Sequence, residues 1–494
     1  MRRRMLDNRT WIAAMVFIAA LGTPAAAAAG PTEPVVVLAG SSAAAAAAVT
    51  AAGGSVDHDL PVIGGVAAHL PARLAHVAAP HTFASLPGVT VVPDAPMHLT
   101  AAGFAPTSST PQFGALHTDP AWGDEAGEGV GVALVDTGVA QVPALAGHVV
   151  NAADFSGEND GVDHYGHGTF MAGLIATAAP AADIVSIKVA GRDGSTSLGQ
   201  VLAGIDWAVE HADEHDLRVL NLSFGADLPV AWRADPLSAA VEAAWASGIT
   251  VVTSSGNDGP GTVTTPGRDP WVLTVGATDV HGTVSTADDT VPSFSGSGRV
   301  PPFGLKPEVV APGVDVVSVR APGSYLDTAY PAARIGDDGF RGSGTSMATA
   351  LTSGAAAVVT WAHPDATPDD VKGALVAGGD RLAGAWSRAV DVQAAVAVDA
   401  DEWDQRLPVA GGRDDDERTG MPWMATRWSA TRWSATRWSA TRWSATRWSA
   451  TRWSATRWSA TRWSATRWSA TRWSGTRWSG TRWSGTRWSA AEWG

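Results

Sequence analysis

No cysteine occurs in the 494 residues. Disulfides, thiolate metal sites and a cysteine nucleophile are therefore excluded. A chain without disulfides must draw durability from its core or from hard metal ions, and 45% hydrophobic residues can supply a large core. Long apolar runs are also missing. Trp11 to Leu21 is shorter than the roughly 20 residues a membrane-spanning helix needs, and the later alanine runs are broken by Gly, Pro or charge. Basic residues are scarce: 34 Lys and Arg stand against 48 Asp and Glu, a formal net charge of −14. Thr426 to Gly494 holds thirteen Arg and one Glu, a net of +12, which leaves −26 on residues 1–425. The acidic body argues against nucleic acid as its partner. A basic tail on such a body implies two separate jobs.

What is present divides into five parts. Residues 1–29 combine Arg2, Arg3 and Arg4 with the Trp11–Leu21 run and a small-residue stretch after Thr23-Pro24. That pattern predicts a cleaved secretory signal, with an uncleaved anchor as the alternative, and hence an extracellular or cell-surface protein. Residues 30–108 begin as a small α+β unit: a Val35–Leu38 strand, a Ser41–Ala52 helix stopped by Gly53-Gly54, and an apolar stretch from Val62 to Leu70. A short helix over Pro71–Ala79 and a strand over Val89–Val92 complete it. From Thr100 to Pro111 periodicity is lost and Pro, Ser and Thr gather, which predicts a linker open to cleavage.

Residues 109–400 alternate buried-type strands (Val130–Val135, Ile184–Val189, Val219–Leu222, Ile249–Val252, Val272–Val275) with helices such as Leu198–His211 and Pro236–Ala246. This rhythm predicts an α/β fold with a mainly parallel sheet covered on both faces. Its active site would sit at the carboxyl ends of the strands. Residues 401–425 form an acidic linker. Residues 426–494 repeat Thr-Arg-Trp-Ser-Ala, later Thr-Arg-Trp-Ser-Gly, thirteen times. That tail has too few aliphatic residues for a core. Its paired Trp and Arg suit many weak contacts to an anionic surface such as cell-envelope polymer.

Three groups carry the chemistry. A hydroxyl nucleophile needs a base, and the base needs an acceptor that sets its tautomer. Asp136 follows the buried run ending at Val135, in Asp136-Thr137-Gly138. His167 lies between glycines in Gly166-His167-Gly168-Thr169, at the start of a predicted helix, with His164 close by. Ser346 lies in Gly344-Thr345-Ser346-Met347-Ala348, also at a helix start, where unpaired N–H groups favour negative charge. Ser343 and Thr345 are its local rivals. Asn257, in Ser255-Gly256-Asn257, could donate to an oxyanion or serve only as a turn residue.

In this order, with these flanks, the motifs resemble the subtilisin family of serine proteases over about Trp122 to Val398. The resemblance implies a three-layer fold, a triad of Asp136, His167 and Ser346, and Asn257 as oxyanion donor. It implies a substrate cleft lined by Ser223, Phe224, Gly225, Ser254, Ser255 and Gly256, which pairs with the peptide as an added strand. Residues 30–108 would be an inhibitory propeptide, an intramolecular partner removed near Ser108 by self-processing. Proteins or peptides would be the substrates, and no cofactor is needed for the chemistry. Structural calcium is common in the family, but Asp154, Asp160 and Asp163 match no calcium-loop spacing and read better as a solvated acidic loop. Phe170, Met171, Ala350 and Leu351 depart from the usual family residues. Thr264 and Thr265 are candidates for the floor of the main specificity pocket, and the expected preference there is for apolar or medium-sized side chains. The competing expectation is an inactive scaffold whose tail does the binding.

Overall fold

The computed structural model describes residues 31–75, 84–86, 89–103, 114–116, 120–226, 235–300 and 304–398. The signal, the acidic linker and the repeat tail fall outside the described residues, as do residues 76–79 of the predicted short helix.

The first unit is a five-stranded antiparallel sheet of β1 (Thr32–Leu38), β2 (Ser55–Leu60), β3 (Gly65–Pro71), β4 (Ala84–Leu86) and β5 (Val89–Pro93), in the order β2-β3-β1-β5-β4. A helix, Ser42–Ala51, starts where the Ser41 hydroxyl accepts the Ala44 N–H. Val35 and Val37 pack with Ala45 and Val49 of this helix. Val36 and Leu38 lie on the opposite face by the two-residue period of a strand, yet they are equally buried. The helix Leu198–Glu210 of the main body lies against β1 and β2, and the helix Pro236–Ala246 lies against the turn Pro61–Ile63.

Next come two short strands, β6 (Pro96–Leu99) and β7 (Ala101–Gly103). The body then supplies β8 (Gly131–Asp136), β9 (Val149–Asp154), β10 (Asp183–Lys188), β11 (Thr196–Ser197), β12 (Leu217–Leu222), β13 (Phe224–Gly225), β14 (Thr250–Ser254) and β15 (Leu273–Thr278). A hairpin, β16 (Gly298–Val300) with β17 (Gly304–Lys306), precedes β18 (Val309–Pro312), β19 (Val316–Val319), β20 (Arg334–Ile335), β21 (Gly339–Gly344), β22 (Asp380–Arg381) and β23 (Arg388–Ala389). The central nine-stranded sheet runs β22-β23-β18-β15-β14-β12-β8-β10-β9. Every pairing in it is parallel except β22 with β23. The predicted mainly parallel α/β architecture is what forms.

All six residues of β8 are buried, because helices cover both faces. The helix Thr345–Ala362 runs through the core against β12, β14 and β15 and against the helix His167–Ala178. Small residues make the close approach workable: a Cβ on Gly354 would lie 2.5 Å from the Ala178 methyl. Three of its buried hydroxyls find their acceptor within the helix. Thr349, Thr352 and Thr360 each donate to the carbonyl four residues earlier. Phe170, Met171, Ala350 and Leu351, the departures noted above, are all core residues. No helix among the described residues is long and apolar enough to cross a membrane.

Candidate active site

Asp136 is the last residue of β8 and is fully buried. Its Oδ1 accepts the Thr137 N–H at 2.8 Å and lies 2.8 Å from His167 Nδ1, with Oδ2 at 3.0 Å. His167 is the first residue of its helix. The flanking glycines are required there. Gly166 has φ +109°, and a Cβ on it would meet Ser324 Oγ at 2.6 Å; a Cβ on Gly168 would collide with the Gly138 carbonyl.

One carboxylate ties these two segments together. Asp163 is buried, contrary to the expected solvated loop. Its Oδ1 accepts Thr137 Oγ1–H and the N–H groups of Tyr165 and Gly166. Its Oδ2 accepts the N–H and hydroxyl of Thr169. Thr137 Oγ1 in turn accepts the Gly168 N–H at 2.8 Å. Asp163 thus clamps the residue after Asp136 to the first turn carrying His167. Burial pushes its carboxyl up from the ordinary range, and the hydrogen bonds oppose that rise. Asp163→Ala would leave these buried donors without an acceptor, at about 1–3 kcal/mol each. The variant is expected to melt earlier and to lose kcat with little change in KM, and Asp163→Asn should recover part of the loss. A rise in KM with unchanged kcat would show that Asp163 does not position the pair.

Ser346 is the second residue of its helix. Its hydroxyl is 2.7 Å from Thr100 Oγ1 and 3.5 Å from the Ser223 carbonyl. His167 Nε2 makes no hydrogen bond. The structure therefore pairs Asp136 with His167 but not His167 with Ser346, whose hydroxyl is held by Thr100. The rivals lie elsewhere. Thr345 donates its N–H and its hydroxyl to Asn257 Oδ1, both at 3.0 Å. Ser343 Oγ accepts the Asp315 N–H, and His164 faces Asp160 at the surface.

Because Asn257 Oδ1 is engaged by Thr345, its amide nitrogen points the other way, at the Thr100 carbonyl oxygen, to which it donates. The Ser346 N–H donates to the same oxygen at 3.3 Å. Two donors therefore converge on one carbonyl, the arrangement that stabilises charge developing on that oxygen.

The segment carrying Thr100 is seated as an added strand. Leu99 and His98 of β6 pair antiparallel with Phe224 and Gly225. Met97 and Pro96 pair antiparallel with Thr196 and Ser197 on the other side. The Thr100 N–H donates to the Ser223 carbonyl at 3.1 Å, and its hydroxyl reaches Ser254 Oγ at 2.8 Å. Beyond Thr100 the chain continues unbroken into β7, where Ala101 and Gly103 pair with Gly344 and Ser343 of β21. The linker expected from Thr100 thus begins inside the cleft. Ser223, Phe224, Gly225 and Ser254 meet the seated strand. Thr196 and Ser197 were not expected, since a two-residue strand leaves no periodic signal.

The calcium candidates do not converge. Asp154 accepts local N–H groups and the Ser156 hydroxyl, and Asp163 is the clamp described above. Glu158, Asp160 and His164 do approach one another within 4.8 Å. Glu158 is already paired with Lys188 at 3.2 Å and Arg192 at 2.9 Å.

Comparison with known proteins agrees with this geometry. Residues 127–389 match the model of the Subtilase family. The chain is similar to "Serine protease AprX" of Bacillus subtilis (strain 168), 38% identical over 277 residues, which is 52% of this chain and 62% of that protein. It is similar to "Subtilisin Savinase" of Lederbergia lenta, 34% identical over 248 residues, 48% of this chain and 78% of that protein. Among solved structures it resembles fervidolysin from Fervidobacterium pennivorans in fold, with a TM-score of 0.58 and 22% identity over 75% of this chain and 62% of that one. The family match spans more than half of the sequence, and the chain belongs to the subtilase family.

Proposed function

We propose that the protein is a secreted serine endopeptidase made as a precursor that cuts itself between Thr100 and Ala101. The observation that carries this reading is the Thr100 carbonyl. It receives the Ser346 N–H and the Asn257 amide while the chain runs on past it into β7. Ser346 Oγ attacks the carbonyl carbon and His167 takes its proton. Asp136 keeps the imidazole in the tautomer that can accept that proton. The oxyanion rests on Ser346 N–H and Asn257. Collapse breaks the C–N bond, His167 protonates the leaving amine, and water then hydrolyses the acyl-enzyme by the same route in reverse. Peptide and protein substrates would afterwards occupy the strand position that β6 holds in the precursor.

Residues 31–100 act in this reading as an inhibitor in cis. Two carboxylates support their docking. Asp94 Oδ1 accepts the Gly199 N–H at 2.7 Å, at the start of the helix Leu198–Glu210. Asp206 Oδ1, on the same helix, accepts the Val62 N–H at 2.6 Å, and burial pushes its carboxyl up to about 6. The signal at 1–29 and an envelope-binding role for the tail at 426–494 rest on sequence alone.

Intact-mass measurement and N-terminal sequencing early in maturation test the reading. A fragment ending at Thr100 and a partner beginning at Ala101 are expected, in place of the cut first expected near Ser108. A first cut elsewhere, with Thr100–Ala101 intact throughout, would overturn it.

A further inference from the structure

We propose that Thr264 restricts the enzyme to substrates with a short side chain (threonine, serine or alanine) on the residue whose carbonyl is attacked. The inference rests on the reading of Ser346 as the nucleophile and names its substrate class. Two segments receive the Thr100 side chain. Its hydroxyl bonds to the Ser223 carbonyl at 2.9 Å on one and to Ser254 Oγ at 2.8 Å on the other. These segments continue into Gly225 and Gly256, neither of which has a side chain. A slot between two glycine walls would be deep and would admit a large side chain. Here it is filled. A Cβ on Gly225 would lie 2.5 Å from Thr264 Oγ1 and 2.8 Å from its Cβ; one on Gly256 would lie 2.9 Å from Thr264 Cγ2 and 3.0 Å from Oγ1. The same threonine touches both walls.

The wedge is anchored through its backbone. Thr264 N–H donates to the Ser255 carbonyl at 3.1 Å, on one wall. The next residue, Thr265, exchanges both backbone hydrogen bonds with Ala226, on the other. Swinging the wedge aside to admit a phenyl or isobutyl group would break these ties. Thr264 Oγ1 is buried and makes no hydrogen bond. A buried hydroxyl without a partner is unfavourable, so a short polar side chain entering beside it is favoured over an apolar one. Thr100, the residue seated in the precursor, belongs to that class. The preference for apolar or medium-sized side chains expected from sequence is therefore replaced by one for short ones.

The test uses the matured full chain, wild type and with Thr264→Gly or Thr264→Ala. Substrates are Met-His-Leu-X chromogenic amides, with X as Thr, Ala, Leu or Phe. Wild type is expected to cleave the Thr and Ala amides at least roughly tenfold faster in kcat/KM than the Leu and Phe amides, the scale for groups a pocket cannot hold. The Thr264 variants should shift the Phe-to-Ala ratio upward by a similar factor. Wild-type preference for Phe or Leu would overturn the inference even if both variants failed to fold. So would an unchanged ratio in two folded variants. A small organophosphonate that labels Ser346 in the same preparations separates these outcomes from failure of the nucleophile assignment, which would show as no label and no hydrolysis of any amide.

Discussion

Ser346→Ala is expected to lower turnover by roughly 10⁶, the scale found when a subtilisin loses its nucleophile. The loss is large because no neighbour can take over. Thr345 gives its hydroxyl to Asn257 and Ser343 accepts from Asp315, so neither faces the Thr100 carbonyl. What remains is the polarisation of that carbonyl by Asn257 and the N–H of residue 346, which the substitution leaves in place. Two readouts check the assignment. In a host without other proteases, the variant should accumulate as a precursor with Thr100–Ala101 intact, while wild type matures. A sulfonyl fluoride should label wild type at Ser346 and leave the variant unmodified. Normal maturation of the variant, or labelling that survives the substitution, would remove Ser346 from the proposed role.

The second large effect is expected from Asp136→Asn, at roughly 10⁴ in kcat, the size associated with a wrongly set imidazole tautomer. The carboxylate lies 2.8 and 3.0 Å from His167 Nδ1 while Oδ1 also accepts the Thr137 N–H. An amide in its place keeps its oxygen on the Thr137 N–H and turns its NH₂ toward Nδ1. The imidazole proton then moves to Nε2, the nitrogen that accepts the Ser346 proton in the proposed mechanism. Both partners are fully buried, so water cannot substitute for the missing acceptor. The volume is unchanged, and thermal denaturation should show a folded protein. A folded Asp136→Asn variant within tenfold of wild type would show that the tautomer is set by another group.

Much of the body was legible in sequence. Strands buried on both faces read as continuous apolar runs, and β8, β10, β12 and β14 all fall where such runs lie. The helix Pro236–Ala246 was placed to the residue, because Asp235 caps it and Pro236 opens it. The Asp136, His167 and Ser346 motifs were visible because each requires glycine within two residues of the reacting group. Three features were misread or missed. Asp163 looked like one acidic residue among several in a solvated loop, yet its oxygens collect donors from Thr137 through Thr169. Thr100 to Gly103 looked like linker, since an extended strand paired to residues more than a hundred positions away has no local period. Thr264 was named as one candidate for the pocket floor, without its position between the two walls.

The sequence by itself determined the chemistry available: a serine hydroxyl, an imidazole and a carboxylate, each at the end of a strand or the start of a helix, with no thiol to compete. Those assignments depend on short-range rules of backbone sterics and hydrophobic pattern, which neighbours in sequence express. Only the tertiary structure brings the Thr100 carbonyl to Ser346 and sets Thr264 between Gly225 and Gly256. Both depend on contacts between segments far apart along the chain: Thr100 against Ser223, Asn257 and Ser346, and Thr264 against Gly225 and Gly256. Such contacts arise when β-strands and loops from separate parts of the fold close on one another. No residue's own neighbourhood records them.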